Sequence, residues 1–217
     1  MKKYILLMSD VYLEEEFSSS PSLDLRDIQG TNCYCESGSA GILRKRLLQM
    51  GPEGIHWIDT GDYHYLTLLN LEKIREAFTL VLIDNHPDDQ ASAFDTPGVL
   101  SCGSWVREAR QLPNLQSDIW IHDKAESVSS GEDDPGLPVY LSIDLDYLSP
   151  DAFRTNWNQG TESLDGLTRT LRGITGGRRV IGIDVCGGLT RSKGATDRDL
   201  EHNRKARLEL ERILTGF

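Results

Sequence analysis

The sequence predicts an α/β domain built on a mostly parallel sheet, and three observations carry that expectation. Short aliphatic and β-branched runs alternate with stretches of helical spacing along the chain. Its 217 residues, 38% of them hydrophobic, suit one domain over residues 1–217 with a sizeable core. No linker rich in Pro, Gly or Ser divides it, and no internal repeat or low-complexity tract interrupts it.

Taken in order, residues 4–8 form a first buried strand. Their apolar run is too short for a secretory core, and Glu14, Glu15 and Glu16 follow soon after. Residues 17–36, rich in Ser, Asp, Gly and Asn, read as a long loop. Residues 39–50 have helical spacing at Ile42, Leu43, Leu47 and Leu48, with serines ahead as caps and Gly51 behind. A short strand over 55–58, a helix over 65–78 and a buried strand over 80–83 come next. Then follow a short helix over 105–111, a strand over 119–121 and an exposed turn over 128–136. The strand at 139–143 precedes a helix over 164–174 and a strand over 179–183. The last element, 197–214, is a charged amphipathic helix with Leu200, Ala206, Leu208, Leu210 and Leu214 as its apolar positions.

Charge narrows the function. Twenty-three Lys and Arg against 34 Asp and Glu leave a net charge of −11. That excludes sequence-independent nucleic-acid binding and a polybasic membrane contact, both of which need a basic face. No run approaches the ~18 apolar residues of a membrane span. The four cysteines, Cys33, Cys35, Cys102 and Cys186, make no disulfide framework, so reduced thiols in a cytoplasmic compartment are expected. No second cysteine pair joins Cys33 and Cys35 to complete a zinc site.

Some of the acidic residues collect where chemistry is expected. Asp84-Asn85-His86-Pro87-Asp88-Asp89 follows one buried strand, and Asp144-Leu145-Asp146 follows another. Ligands of open α/β sheets bind at the carboxyl ends of strands. Alternate residues of an extended segment share a face, so Asp84, His86 and Asp88 can project together, as can Asp144 and Asp146. His64, in Thr60-Gly61-Asp62-Tyr63-His64, adds an imidazole after a third strand, with Asp62 beside it. Four carboxylates in one crevice could not stay ionised uncompensated, and bound divalent cations are the simplest remedy. Mixed oxygen and imidazole donors suit Mn²⁺ best, then Zn²⁺, Fe²⁺ or Co²⁺, with Mg²⁺ behind them. His56 and His122 beside strands are assigned no role.

At these residues the sequence resembles the ureohydrolase superfamily of arginases, agmatinases and formiminoglutamases. Asp84-Asn85-His86-Pro87-Asp88 matches its Asp-x-His-x-Asp segment, and Ser142-Ile143-Asp144-Leu145-Asp146 with Pro150 matches its S-x-D-x-D-x-x-D-P segment. Gly61-Asp62-Tyr63-His64 is similar to its G-G-D-H segment, with Tyr63 inserted. Residues 35–47, with Gly38, Gly41, Leu43 and Arg44, loosely resemble an early glycine-containing segment. The resemblance implies an arginase-like, three-layer α/β/α domain holding two Mn²⁺ ions. Asp84 and Asp144 would serve both ions, His64 and Asp88 would complete one site, and His86 and Asp146 the other. A hydroxide bridging the ions would attack a planar guanidinium or imino carbon and break a C–N bond, with Asp88 accepting the hydroxide's hydrogen.

Two departures bear on substrate, and a third, at Ser149, is structural. Cys102, in Ser101-Cys102-Gly103-Ser104-Trp105, stands where the family has a histidine that acts in proton transfer or substrate contact. Asp184-Val185-Cys186-Gly187 matches the family's D-V-x-E without the glutamate that holds the guanidinium, and Ser149 replaces the Asp before Pro150. The expectation is a metal-dependent hydrolase of a small guanidino, amidine or amide compound, with Asp88 and Cys102 as catalytic residues. Its partner is a small-molecule substrate, with nucleic acid and membrane excluded and a homo-oligomer left open. Two rivals remain: a non-catalytic metal-binding module of the same fold, and a hydrolase using Cys102 as nucleophile. A dehalogenase-type phosphatase also uses Asp-x-Asp after a strand, but Asp146-Tyr147-Leu148 lacks the threonine that closely follows its pair.

Overall fold

The computed structural model describes residues 1–13, 20–91, 99–123 and 126–217. Residues 14–16, and 17–19 at the start of the expected loop, lie outside them. Strands β1 (Lys3–Leu7), β2 (Ser22–Asp24), β4 (Gly54–Ile58), β5 (Phe78–Ile83), β7 (Leu115–His122), β8 (Glu126–Ser129), β9 (Val139–Asp144) and β10 (Val180–Cys186) form one sheet. Its order is β2-β1-β4-β10-β9-β5-β7-β8, parallel except for β8. A separate antiparallel ribbon joins β3 (Tyr34–Cys35) to β6 (Leu100–Ser101).

Strands buried on both faces read as continuous apolar runs, which is how β5 (FTLVLI) appears in the sequence. Alternation sorts the side chains into two cores. Leu80, Leu82 and Tyr140 pack with Leu43, Leu47, Leu66, Leu69 and Trp105 from helices α1 (Ser37–Leu47), α2 (Leu66–Leu71) and α3 (Trp105–Ala109). Val81, Ile83, Leu141, Ile143 and Val185 pack on the other side with Leu167 and Leu171 of α4 (Leu164–Thr175) and Leu210 and Leu214 of α5 (Asp197–Leu214). The architecture is therefore the three-layer α/β/α arrangement that the sequence predicts. Helix α5 starts on a reciprocal capping box between Thr196 and Asp199, and α4 on Ser163 accepting from the Gly166 amide.

Several expectations need correction. The helix expected over 65–78 ends at Leu71, because Phe78 is apolar as the first residue of β5 rather than as part of a helical stripe. The supposed loop over 17–36 contains β2 and β3, short elements whose polar residues carry no period-2 signal. The supposed turn over 128–136 begins within β8, an edge strand exposed throughout, whose Glu and Ser residues mimic a turn. Helix α1 begins at Ser37 behind Glu36 with no side-chain cap, and leaves Ile42 and Leu48 exposed while Ala40, Leu43 and Leu47 face the core. In α5 Leu208 is exposed, and Asn203 and Arg207 take buried positions beside Ala206.

Beneath the strand ends lies a buried polar knot. Asp184 Oδ1 accepts hydrogen bonds from Tyr140 Oη (2.7 Å) and pairs with His56 Nδ1 (2.8 Å). Asn70 Nδ2 of α2 donates to both Asp184 oxygens at 3.1 Å. Burial by itself would raise the Asp184 pKa, but these partners outweigh it and leave the carboxyl below its ordinary value. His56, given no role from sequence, thus ties β4 to β10 and Asn70 ties α2 to the sheet. Asp184→Ala strands His56 and Tyr140 in the core and is expected to cost about 3–5 kcal/mol in urea unfolding. A cost below about 1 kcal/mol would show that the knot is not structural.

Candidate metal centre

The site is assembled by the four central strands, β4, β10, β9 and β5, each contributing residues at or just past its carboxyl end. After β4 the chain turns through a 3₁₀ turn at Gly61–Tyr63 and delivers His64. After β5 comes Asp84, then His86 and Asp88; β9 ends in Asp144, and a 3₁₀ turn at Leu145–Tyr147 holds Asp146. Asp84, Asp88, Asp144, Asp146 and His64 are all buried, while His86 is one-third exposed.

His64 Nδ1 lies 3.2 Å from Asp84 Oδ2, 3.0 Å from Asp88 Oδ2 and 3.5 Å from Asp144 Oδ2. His86 Nδ1 lies 2.9 Å from Asp146 Oδ2 and 3.5 Å from Asp84 Oδ1. Two donor groups of metal-binding dimensions result, His64/Asp84/Asp88 and Asp84/His86/Asp146, and they share Asp84. A third group joins His64, Asp144 and Cys186. All six residues expected as ligands are therefore brought together. The 84–88 segment is not simply extended, however: Asp88 takes a left-handed φ of 47°, and Asp84 and Asp88 face His64 while His86 turns to Asp146. Asp89 leaves the crevice and pairs with Arg110 at 3.1 Å.

The surroundings hold these groups in place. His64 Nε2 meets Ser142 Oγ at 2.7 Å, directing Nδ1 at the carboxylates, as a neighbour behind a metal-binding histidine does. Trp105 Nε1 donates to Asp88 Oδ2 at 2.7 Å, and the Asp146 amide donates to Asp144 Oδ1 at 2.9 Å. Trp157 stands at the mouth near His86, its Nε1 donating to Asp62 Oδ1 at 3.0 Å. Asp62 is buried, pairs with Lys193 at 2.9 Å, and is a latch for Trp157 rather than one of the donors. Among the described residues a cavity of about 60 Å³ is lined by the six expected ligands with Gln90, Cys102, Gly103, Gly61 and Trp157.

Cys102 thus reaches the pocket, carried by the β3–β6 ribbon, where its amide donates to the Cys33 carbonyl. Burial, then the charges of Cys33, Asp88 and Asp62, pushes its thiol up to about 12. Cys33 and Cys35 are not among the described lining residues, and Cys35 is buried against the Glu36 carbonyl. Sequence reading missed Trp105 and Trp157, whose indoles look like ordinary helix and loop residues until their partners are seen. It also missed Cys186, whose Sγ lies 3.0 Å from Asp144 Oδ2. The signal for Cys186 was present: it lies two residues past Asp184 and shares its face of β10.

Electrostatics test whether cations fit. Burial, then the Asp146 charge, raises Asp144 to about 6; burial, then the Asp84 charge, raises Asp146 to about 6. Asp84 and Asp88 are raised too, chiefly by burial. Hydrogen bonds to Asp146 and Asp84 hold His86 up at about 10. Four desolvated carboxylates against two imidazoles form a donor set that is electrostatically strained alone and satisfied by dications.

No family model matches the chain. An uncharacterised Thermotoga maritima protein is 36% identical over 146 residues, a match that covers 62% of this chain and 58% of that protein. Among solved structures, arginase from Medicago truncatula superposes with a TM-score of 0.62 at 13% identity, covering 95% of this chain and 84% of that one. Formimidoylglutamase from Bacillus subtilis gives 0.60 at 15% identity, covering 98% and 85%. These likenesses establish the fold, which is the one seen in that arginase and that formimidoylglutamase.

A raised carboxyl pKa favours the folded state below the unfolded value near 4, and that advantage is lost as pH climbs through the folded value. Chelator-treated protein should therefore lose thermal stability between pH 4.5 and 7 as Asp144 and Asp146 ionise. Added divalent metal should restore it by an increment that grows over the same window, reaching about 4 kcal/mol per site at a thousandfold excess over Kd. Differential scanning calorimetry checks this, and a metal increment independent of pH would contradict the cluster's electrostatics.

Proposed function

We propose that the chain is a divergent ureohydrolase: a hydrolase that uses two divalent cations to cut a C–N bond of a small guanidino, amidine or amide compound. The supporting observation is the pair of donor groups sharing Asp84 at the ends of the central strands. In this reading Asp84 and Asp144 serve both cations, His64 and Asp88 complete one site, and His86 and Asp146 the other. When bound, the cations would supply an activated water and charge stabilisation at the attacked carbon. Mn²⁺ suits the oxygen and imidazole donors, and Zn²⁺, Fe²⁺ or Co²⁺ fit the same positions.

The chain's own groups do the rest. Asp88, raised by burial and oriented by Trp105, takes a proton from the attacking water at its carboxylate. Cys102, with a thiol near 12, is protonated at neutral pH, which suits a hydrogen-bond donor to substrate and opposes a nucleophilic role. Trp157, latched to Asp62, covers the mouth and limits water. Position 187 cannot grip a guanidinium. Gly187 has a φ of +104°, and a Cβ there would lie 2.6 Å from Asp144 Oδ1. Gln90, Cys102 and Trp157 are the described groups left to hold the substrate. No described helix is long and apolar enough to cross a membrane, and the four free cysteines fit a cytoplasmic setting.

The glycine at 187 is also the observation that favours the second reading, a metal-binding module of this fold without catalysis. Metal analysis of purified, reconstituted protein should give about two divalent ions per chain, with Asp84→Ala and Asp144→Ala both losing loading. Full stoichiometry in both variants would sink the assignment. Loaded protein should release urea or ammonia from at least one member of a guanidino, amidine and amide panel; silence across the panel favours the module. Cys102→Ala should keep its metal and lower kcat by about 10- to 100-fold, the effect of losing one hydrogen-bond donor to a charged or developing-charge group. Complete loss of turnover together with a trapped covalent adduct on wild-type Cys102 would point to a nucleophile instead.

A further inference from the structure

The sulfur of Cys186, buried against Asp144 behind the crevice lining, is a group that the proposed hydrolase does not use. Parallel register sets Cys186 opposite Asp144 on adjacent strands. Alternation then puts its side chain on the same face as Ser142 and Asp144, towards the layer that delivers His64. Its Sγ lies 3.0 Å from Asp144 Oδ2, and with His64 and Asp144 it forms a buried mixed N/O/S group whose donor atoms all fall within 4.8 Å of one another. A small apolar filler would serve this position if packing were its task. Imidazole, carboxylate and sulfur converging on one point is a ligand set for a borderline or soft dication.

We propose that Cys186 is a direct sulfur ligand of the cation at the His64 side, so that the two metal positions differ in kind. The His64/Asp84/Asp88/Asp144/Cys186 position takes a thiophilic ion such as Zn²⁺, Co²⁺ or Fe²⁺. The other position, with Asp84, Asp144, His86 and Asp146, has only oxygen and imidazole donors and accepts Mn²⁺. On binding, a sulfur–metal bond forms and the thiol proton leaves to solvent. This inference rests on the two-cation reading and makes it specific.

Cobalt(II) is the probe, because a cysteine sulfur on Co²⁺ gives a near-ultraviolet charge-transfer band that oxygen and nitrogen ligands do not. Chelator-stripped full-length protein is titrated with Co²⁺ while bound metal is counted by mass spectrometry. The expected result is a band that saturates at one equivalent, with about two ions bound at the end. Cys186→Ser should still bind Co²⁺ but lack the band, and its preference for Zn²⁺ over Mn²⁺ should fall by tenfold or more. Cys33→Ser, Cys35→Ser and Cys102→Ser should each retain the band, so the assignment stands on them and the wild type even if Cys186→Ser fails to fold. Two bound Co²⁺ with no band, or a band surviving in Cys186→Ser, overturns the sulfur ligand and leaves Cys186 as a hydrogen-bond donor that positions Asp144. Failure to bind any Co²⁺ overturns the metal centre itself.

Discussion

Mutual repulsion among Asp84, Asp88, Asp144 and Asp146 is the constraint around which this molecule is organised. Four carboxylates removed from water, facing two imidazoles, are a local energetic deficit that the surrounding fold must tolerate. It does so by placing them at the ends of β9 and β5, adjacent strands in the middle of the sheet, where loss of register would cost the packing on both faces. Stiffness in the centre of the sheet is what lets the charges stay close. Each donor is then fixed individually: His64 by Ser142, Asp88 by Trp105, Asp144 by the Asp146 amide.

The buried knot of Asp184, His56, Tyr140 and Asn70 belongs to the same arrangement. It sits on β4, β9, β10 and α2, the elements that supply His64, Asp144 and Cys186. A fully partnered carboxylate below the crevice contrasts with partly partnered ones within it, and the contrast appears in their opposite pKa shifts. One carboxylate is satisfied by protein and holds the strands together. The others keep unsatisfied capacity facing the cavity.

Much of this was legible in the sequence because its signals are local. A run such as Leu80–Val81–Leu82–Ile83 followed by Asp, or Ser142-Ile143-Asp144-Leu145-Asp146, fixes both strand and donor within a few residues. What escaped was set by partners distant along the chain. β8 is exposed on both faces because it is an edge, and α2 is shorter than its apolar stripe because the stripe runs on into β5. Trp105 and Trp157 became meaningful only with Asp88 and Asp62 beside them, and the role of His56 required Asp184, 128 residues away. The extended reading of residues 84–88 failed at Asp88, whose left-handed φ no sequence pattern announces.

Gly187 limits which side chains the site can carry. In the family pattern that the sequence resembles, a glutamate occupies this position, yet any side chain here would meet both a left-handed backbone and the oxygen of Asp144. Glutamate here would therefore displace Asp144 unless the turn after β10 were rebuilt with it. A carboxylate at 187 and Asp144 in its present place are alternatives, so the shape of one turn decides which kind of ligand this crevice can grip.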